Sequence, residues 1–171
     1  MSIRIADEGD WSRLIEIYNE AVETGYATAD TVLATVESKR DWLGSHSPDS
    51  YPIYVEEADE SLTGWCSLSP YRPGRHALRH TAEISYYVAR DFWRKGVASR
   101  LIRHAIADAA RLELRTLFGI LLESNHGSVA LLEKLGFEQW GFLPKVADFD
   151  GAQVGHVYWG KRLASEKAAM R

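Results

Sequence analysis

The residues best suited to chemistry in this chain lie at a short junction, Trp93-Arg94-Lys95-Gly96-Val97-Ala98. Gly96 and Ala98 have little or no side chain, so a ligand can come close to the backbone there. The first N–H groups of a helix starting at Gly96 have no partner within the helix, and its dipole adds partial positive charge. Arg94 and Lys95 add full charges. This combination suits a phosphate or pyrophosphate. The same residues also read as a turn glycine beside a solvated basic corner, and the junction alone does not choose between the two. Upstream, Arg72, Arg75 and Arg79 fall in a loop rich in Pro, Gly and Arg, Ser69 to His80, just before Glu83. The histidines, six in all, show no metal-like grouping, so no metal is expected.

The pattern around these residues predicts the elements that hold them. Ile3 and Ile5 mark a short strand over Ser2 to Ala6. Trp11, Leu14, Ile15, Tyr18, Ala21 and Val22 recur at helical spacing behind acidic starting residues, with Gly25 past the end. Thr24 to Thr35 reads as loop, and Thr35 caps a second helix running to about Leu43. Tyr51 to Val55 and Leu62 to Leu68 form an antiparallel hairpin around an acidic turn, Glu56 to Glu60. Thr81 to Val88 is a strand. The helix from Gly96 places Val97, Leu101, Ile102, Ala105, Ile106 and Ala109 on one face. A strand at Leu117 to Leu122 and a helix over Asn125 to Leu135, closed by Gly136, follow. Glu138 to Leu143 and Gln153 to Lys161 are closing strands about a turn at Asp150-Gly151. The expected domain is single, residues 1–163, with a charged tail at 164–171. Its class is α/β (α+β): a mixed, mostly antiparallel sheet of about seven strands with helices on both faces. The central β-α-β unit, Thr81 to Leu122, should be parallel and right-handed.

Composition narrows the function. With 171 residues, 46% apolar and 26% charged, the chain can bury a sizeable core. A net charge of −4 disfavours generic nucleic-acid or membrane binding. The single cysteine, Cys66, excludes an intrachain disulfide and reads as a buried, inert thiol. No apolar leader or membrane-length window is present, so a soluble cytoplasmic protein is expected. Six Trp and eight Tyr supply material for a pocket or an interface.

Taken together, Ser85-Tyr86-Tyr87-Val88, the Trp93–Ala98 loop, the run Asn125-His126-Gly127-Ser128-Val129-Ala130-Leu131-Leu132-Glu133-Lys134-Leu135-Gly136-Phe137 and the strand order resemble the GCN5-related N-acetyltransferase (GNAT) superfamily. Ile17 to Val22, Gly64 to Ser67 and Arg79 to Glu83 make the chain most similar to its phosphinothricin and methionine sulfone/sulfoximine N-acetyltransferase group. The resemblance implies acetyl-CoA as co-substrate. The strand residues Tyr86, Tyr87 and Val88 would pair with the pantetheine arm. The loop residues Arg94, Lys95, Gly96, Val97 and Ala98 would hold the pyrophosphate. Asn125 would meet the pantetheine region, and Ser128 and Lys134 the cofactor's far end. Asn125 also reads as a helix cap, and Lys134 as a surface charge. A homodimer is also implied.

The chain departs from the family pattern in four places, one of them Gly155, near where the subgroup tends to carry Asp after an aromatic. Trp93 replaces the usual Arg or Gln, and Arg94 replaces the subgroup's Gly. Leu132 stands where a Tyr or His commonly protonates the leaving thiolate.

The implied reaction is direct acetyl transfer to a primary amine. Glu83 is the expected general base, an ion pair with Arg79 or His80 being its other reading. A backbone N–H near Tyr87 would hold the developing oxyanion. Arg72 and Arg79, with Thr81 and Glu83, would bind a small amino-acid-like or phosphinate substrate, because a guanidinium fork grips such anions in a bidentate way. Tyr26, Trp65 and Tyr71 would wall the acceptor site; without an acid at Leu132 the thiolate would leave unprotonated or be served by water or by a tyrosine, Tyr86 or Tyr158. Competing readings are a peptide or protein N-acetyltransferase and a non-catalytic acyl-CoA-binding regulatory module.

Overall fold

A computed structural model describes residues 1–59 and 61–163; the expected charged tail at 164–171 lies outside the described residues. Seven strands form one sheet: β1 (Ser2–Ile5), β2 (Ile53–Ala58), β3 (Ser61–Pro70), β4 (Thr81–Val88), β5 (Thr116–Leu122), β6 (Glu138–Phe149) and β7 (Ala152–Arg162). Their spatial order is β1-β2-β3-β4-β5-β7-β6. Only the β4–β5 pair is parallel; the other neighbours are antiparallel. The helices are α1 (Trp11–Val22), α2 (Val36–Gly44), α3 (Val97–Asp108) and α4 (His126–Lys134).

Alternation along the strands sorts the side chains onto two faces. Cys66, Leu68, Ala82, Ile84, Leu117, Val157 and Trp159 pack with Leu101, Ile102 and Leu132 on the α3/α4 face. Val55, Leu62 and Trp65 pack with Leu14, Ile17 and Leu43 on the α1/α2 face, where Tyr87 joins them. Glu83 and Ser85, in step with Tyr87, therefore point toward α1 and α2.

Local capping agrees with the sequence. Thr35 Oγ1 accepts from Ser38 N at 3.1 Å at the start of α2, and Asn125 Oδ1 accepts from Ser128 N at 3.2 Å at the start of α4. Asp150 and Gly151, at φ 52° and 93°, make the β6–β7 turn.

The acidic turn differs from expectation. Glu56, Glu57 and Ala58 belong to β2, so the connection is shorter than Glu56 to Glu60. Glu56 is buried because Arg100 reaches over to neutralise it. Strand β6 also runs six residues beyond Leu143, past an irregularity in its register with β7.

Candidate active site

The site arises from a limit on strand pairing. Parallel register between β4 and β5 covers only Thr81↔Thr116, Ala82↔Leu117 and Glu83↔Phe118. Beyond Glu83 the strands part, and Ile84 to Val88 line one wall of a cleft of about 580 Å³. Ile120 and Leu121 line the opposite side, with Asn125, Gly127, Ser128, Leu131 and Lys134 around the start of α4 and along it. Ala89 N donates across to Thr63 O at 2.9 Å, which fixes the alternation of backbone groups along β4. Tyr87 and Ser85 direct theirs toward β3; Ile84, Tyr86 and Val88 direct theirs into the gap. The N–H groups facing the gap thus belong to the neighbours of Tyr87, namely Tyr86 and Val88. The Val88 carbonyl is already taken, because Trp93 Nε1 donates to it at 2.7 Å. That bond gives Trp93 a role: it ties the loop to the end of the strand.

The loop has the conformation that an anion site needs. Arg94 and Gly96 both have left-handed backbones, at φ 61° and 81°. The subgroup's Gly at position 94 would adopt this conformation without strain, whereas Arg94 holds it despite its Cβ. Arg94, Gly96 and Ala98 line the cleft. Lys95 and Val97 do not: Lys95 Nζ lies 5.1 Å from the Phe92 ring centroid, and the Val97 side chain is buried in the core. Val97 offers the site only its backbone. Among the described residues, Arg94 and Lys134 are the cations in the lining, which holds no carboxylate. This charge pattern fits a polyanionic ligand.

The segment between α1 and α2 closes the far side. Thr24, Tyr26 and Ala27 line the cleft. Asn19 clamps Ala34 with two bonds, Nδ2 to the carbonyl at 2.9 Å and Oδ1 from the N–H at 2.8 Å. Tyr18 Oη donates to Asp30 and contacts Thr28 Oγ1 at 3.2 Å. Burial and the Asp30 carboxylate push the Tyr18 hydroxyl up to about 12, while the same bond holds Asp30 below its ordinary value. Tyr18 meets Tyr87 edge-on at 5.0 Å, and Trp65 lies 4.7 Å from Tyr87.

Residues 11–137 match the acetyltransferase (GNAT) family. The chain belongs to that family. It is 30% identical to the L-methionine sulfoximine/L-methionine sulfone acetyltransferase of Pseudomonas aeruginosa, over 98% of each chain. It is also 30% identical to the phosphinothricin N-acetyltransferase of Streptomyces coelicolor, over 93% of this chain and 91% of the relative. Among solved structures, yncA from Salmonella typhimurium, with its cofactor acetyl-CoA, superposes with a TM-score of 0.89 at 26% identity, covering 97% of this chain and 95% of that one. The ribosomal-protein-alanine N-acetyltransferase from Brucella melitensis also gives a TM-score of 0.89, at 31% identity over 95% of this chain and 100% of that one. The GNAT sheet and the enzyme class implied by the sequence are therefore those of the chain.

For a GNAT acetyltransferase, the placement of the acceptor-side residues is informative. Glu83 sits at the point where β4 and β5 separate, half-buried on the α1/α2 face. Burial raises its carboxyl above the ordinary value. Among the described residues it has no ion pair: Arg79 Nη1 donates to the His76 carbonyl at 3.0 Å, and His80 Nδ1 lies 2.7 Å from the Glu113 carbonyl. Arg72, Arg75 and Arg79 are exposed and, like Thr81, lie outside the lining of the cleft. Trp65 is not a free wall, since it is buried and its Nε1 donates to Leu14 O at 3.0 Å. Tyr71 lies outside the lining of the cleft and belongs to an aromatic cluster. It stacks on Phe118 at 4.9 Å, and Phe118 meets Trp140 edge-on at 5.3 Å. Phe118 and Trp140 were silent in the sequence, because their neighbourhood depends on the pairing of β5, β7 and β6.

Leu132 is fully buried, in contact range of Gly119, where an added Cβ would sit 2.7 Å from its Cδ1. It does not line the cleft. Tyr86 does, and its hydroxyl is buried with no hydrogen-bond partner among the described residues. Tyr158 is excluded from that side of the sheet, because its neighbours Val157 and Trp159 occupy the α3/α4 face. Cys66 is buried, and burial pushes its thiol well up, consistent with an inert group. Among the described residues no cluster resembles a metal site, and no helix is long and apolar enough to cross a membrane.

Proposed function

We propose that this chain transfers the acetyl group of acetyl-CoA to the primary amine of a small amino-acid-like substrate, of the phosphinothricin, methionine sulfone or methionine sulfoximine type, by direct attack in a ternary complex. The observation that carries this reading is the parting of β4 and β5 at Glu83. It opens backbone groups of Tyr86 and Val88 to a donor on one side and sets an unpaired carboxylate on the other. The cleft fits the donor. It supplies cations at Arg94 and Lys134, bare backbone at Gly96 and Ala98, and the Tyr86 ring, whose hydroxyl is buried. Lys95 contributes charge to the loop from outside the lining, and Asn125 and Ser128 border the pantetheine path.

In this mechanism Glu83 takes a proton from the substrate ammonium, directly or through water. The amine lone pair attacks the thioester carbonyl, a new C–N bond forms, and the C–S bond breaks. The N–H of Val88, beside Tyr87, stabilises negative charge on the carbonyl oxygen. Burial pushes the Tyr86 hydroxyl up, so it stays neutral and serves as a hydrogen-bond donor to the departing sulfur. The second proton leaves the nitrogen as the tetrahedral intermediate collapses and reaches the thiolate through water, so the products are a neutral amide and the CoA thiol. Arg72 and Arg79, with Thr81, meet the substrate's carboxylate or phosphinate from the loop before β4. Tyr71, Phe118 and Trp140 flank its side chain.

One observation favours a second acceptor class. The Brucella relative is named for a ribosomal-protein alanine, and the exposed arginines do not close a small pocket in this chain. A thiol-release assay over phosphinothricin, methionine sulfone, methionine sulfoximine, common amino acids, polyamines and N-terminal peptides separates the two. Turnover on the sulfone-type amino acids supports the small-molecule reading, and turnover on peptides alone overturns it. Pairing of two copies belongs to the same proposal, supported by Trp140, Phe142, Leu143 and Val146 standing exposed along β6. Sedimentation equilibrium tests it.

A further inference from the structure

Glu56 is an unusual residue for a strand centre: a carboxylate 1% exposed, on β2, outside the cleft lining. Burying a charge is expensive unless it is fully paired, and apolar residues of similar volume often serve stability as well or better. Here the pairing is complete. Arg100 Nε donates to Oε2 at 2.7 Å and Nη2 to Oε1 at 2.8 Å, while Thr63 Oγ1 donates to Oε1 at 3.0 Å. Arg100 lies in the first turn of α3, and its remaining nitrogen, Nη1, donates to the Lys95 carbonyl at 3.0 Å. One guanidinium thus joins a buried anchor in β2 to the middle of the loop Arg94–Gly96.

We propose that Glu56 and Arg100 form a brace that sets the pyrophosphate-binding loop, with Arg100 fixing the Lys95 carbonyl and thereby aiming the Gly96 N–H into the cleft. The C=O and N–H of a trans peptide point in opposite directions. Holding the Lys95 carbonyl on Arg100 turns the Gly96 N–H away from α3's flank and toward the cleft that Gly96 lines. Lys95 lies between two left-handed residues, Arg94 and Gly96, a conformation the loop does not favour by itself. Glu56 also cancels the charge of Arg100, so Arg100 acts as a positioning residue and leaves the phosphate to Arg94, Lys95 and the backbone. A lysine cannot take its place, since one ammonium on a flexible stem lacks the rigid fork that reaches both partners.

The brace rests on the proposed seat of the pyrophosphate at this loop, and the test separates the two. Arg100→Lys and Glu56→Gln are compared with wild type in kinetics with acetyl-CoA and with S-acetylpantetheine, which has the same acyl arm without the pyrophosphate. Binding of CoA is measured by titration calorimetry, and thermal melts establish that each variant folds. Arg100→Lys keeps a charge opposite Glu56, so it reports even if Glu56→Gln fails to fold. The expected result is about a tenfold weaker CoA affinity and a matching rise in KM for acetyl-CoA, the size expected for a lost charge-assisted hydrogen bond. In the same variants kcat is held, and kcat/KM with S-acetylpantetheine stays within about twofold. Equal loss with both donors, or loss with neither, overturns the brace. A wild-type enzyme that uses the two donors equally well overturns the seating of pyrophosphate at the loop.

Discussion

Glu83→Gln is the substitution that most directly tests the proposed chemistry. Glutamine keeps the volume and reach of the side chain but cannot accept a proton. General-base groups contribute roughly 10²- to 10⁴-fold, and the structure selects the lower end of that range. Glu83 is half-buried, not sealed, so water can reach the amine and stand in for the lost base. We therefore expect kcat to fall about 10²-fold. Burial raises the Glu83 carboxyl above its ordinary value of 4.5. Activity of the wild type should accordingly rise with pH through that raised value, as the carboxylate forms, and this limb should vanish in the variant. Stability responds with the opposite sign. The folded state binds the Glu83 proton more tightly than the unfolded state, so the stability linked to it is lost as pH rises from 4.5 through the raised value. At neutral pH the uncharged Gln should melt at the same temperature as wild type or higher. The assay is thiol release with saturating acetyl-CoA and varied methionine sulfone or phosphinothricin, across pH, alongside thermal melts. A kcat within about threefold of wild type, with the acidic limb intact, would remove Glu83 from the base role.

Further expectations follow from the geometry of the cleft and its supports. Tyr86→Phe removes the buried hydroxyl and should lower kcat about tenfold, with the KM for acetyl-CoA little changed; full activity would show that the sulfur leaves unaided. Gly96→Ala places a Cβ at φ 81° and 3.0 Å from Arg100 Nη1, so the KM for acetyl-CoA should rise while the acceptor KM stays constant. Leu132→Ala should cost about 2–5 kcal/mol in chemical denaturation, as a fully buried leucine. It should nevertheless leave kcat of the folded enzyme near wild type; a large loss of kcat would mean that position 132 touches the reacting atoms. Asn125→Ala removes a helix cap and should lower stability by about 1 kcal/mol, which equilibrium unfolding measures.

The sequence alone determined most of the secondary structure, the strand residues Glu56–Ala58 and the far half of β6 excepted. Helical spacing in α1 and α3, the caps at Thr35 and Asn125, and the glycines at 96, 136 and 151 act within a few residues of themselves, so their signals are local. The loop Trp93–Ala98 was legible for the same reason, since charge, small side chains and a helix start lie side by side in the chain. What the tertiary structure decided depends on which strands meet and where their pairing ends. The cleft exists because β4 and β5 part at Glu83, and no local pattern records that register. The aromatic cluster of Tyr71, Phe118 and Trp140 draws on three separate strands or loops. Within the Glu56–Glu60 run nothing marked Glu56 as different from its neighbours; only the approach of Arg100, 44 residues away, makes it a buried partner and not a turn residue. Leu132 shows the same division. Its residue type rules out proton donation from the sequence, whereas its seat against Gly119, and the burial of the Tyr86 hydroxyl, follow from how α4 packs on the sheet, because long-range contacts are set by packing between elements and not by the order of residues within them.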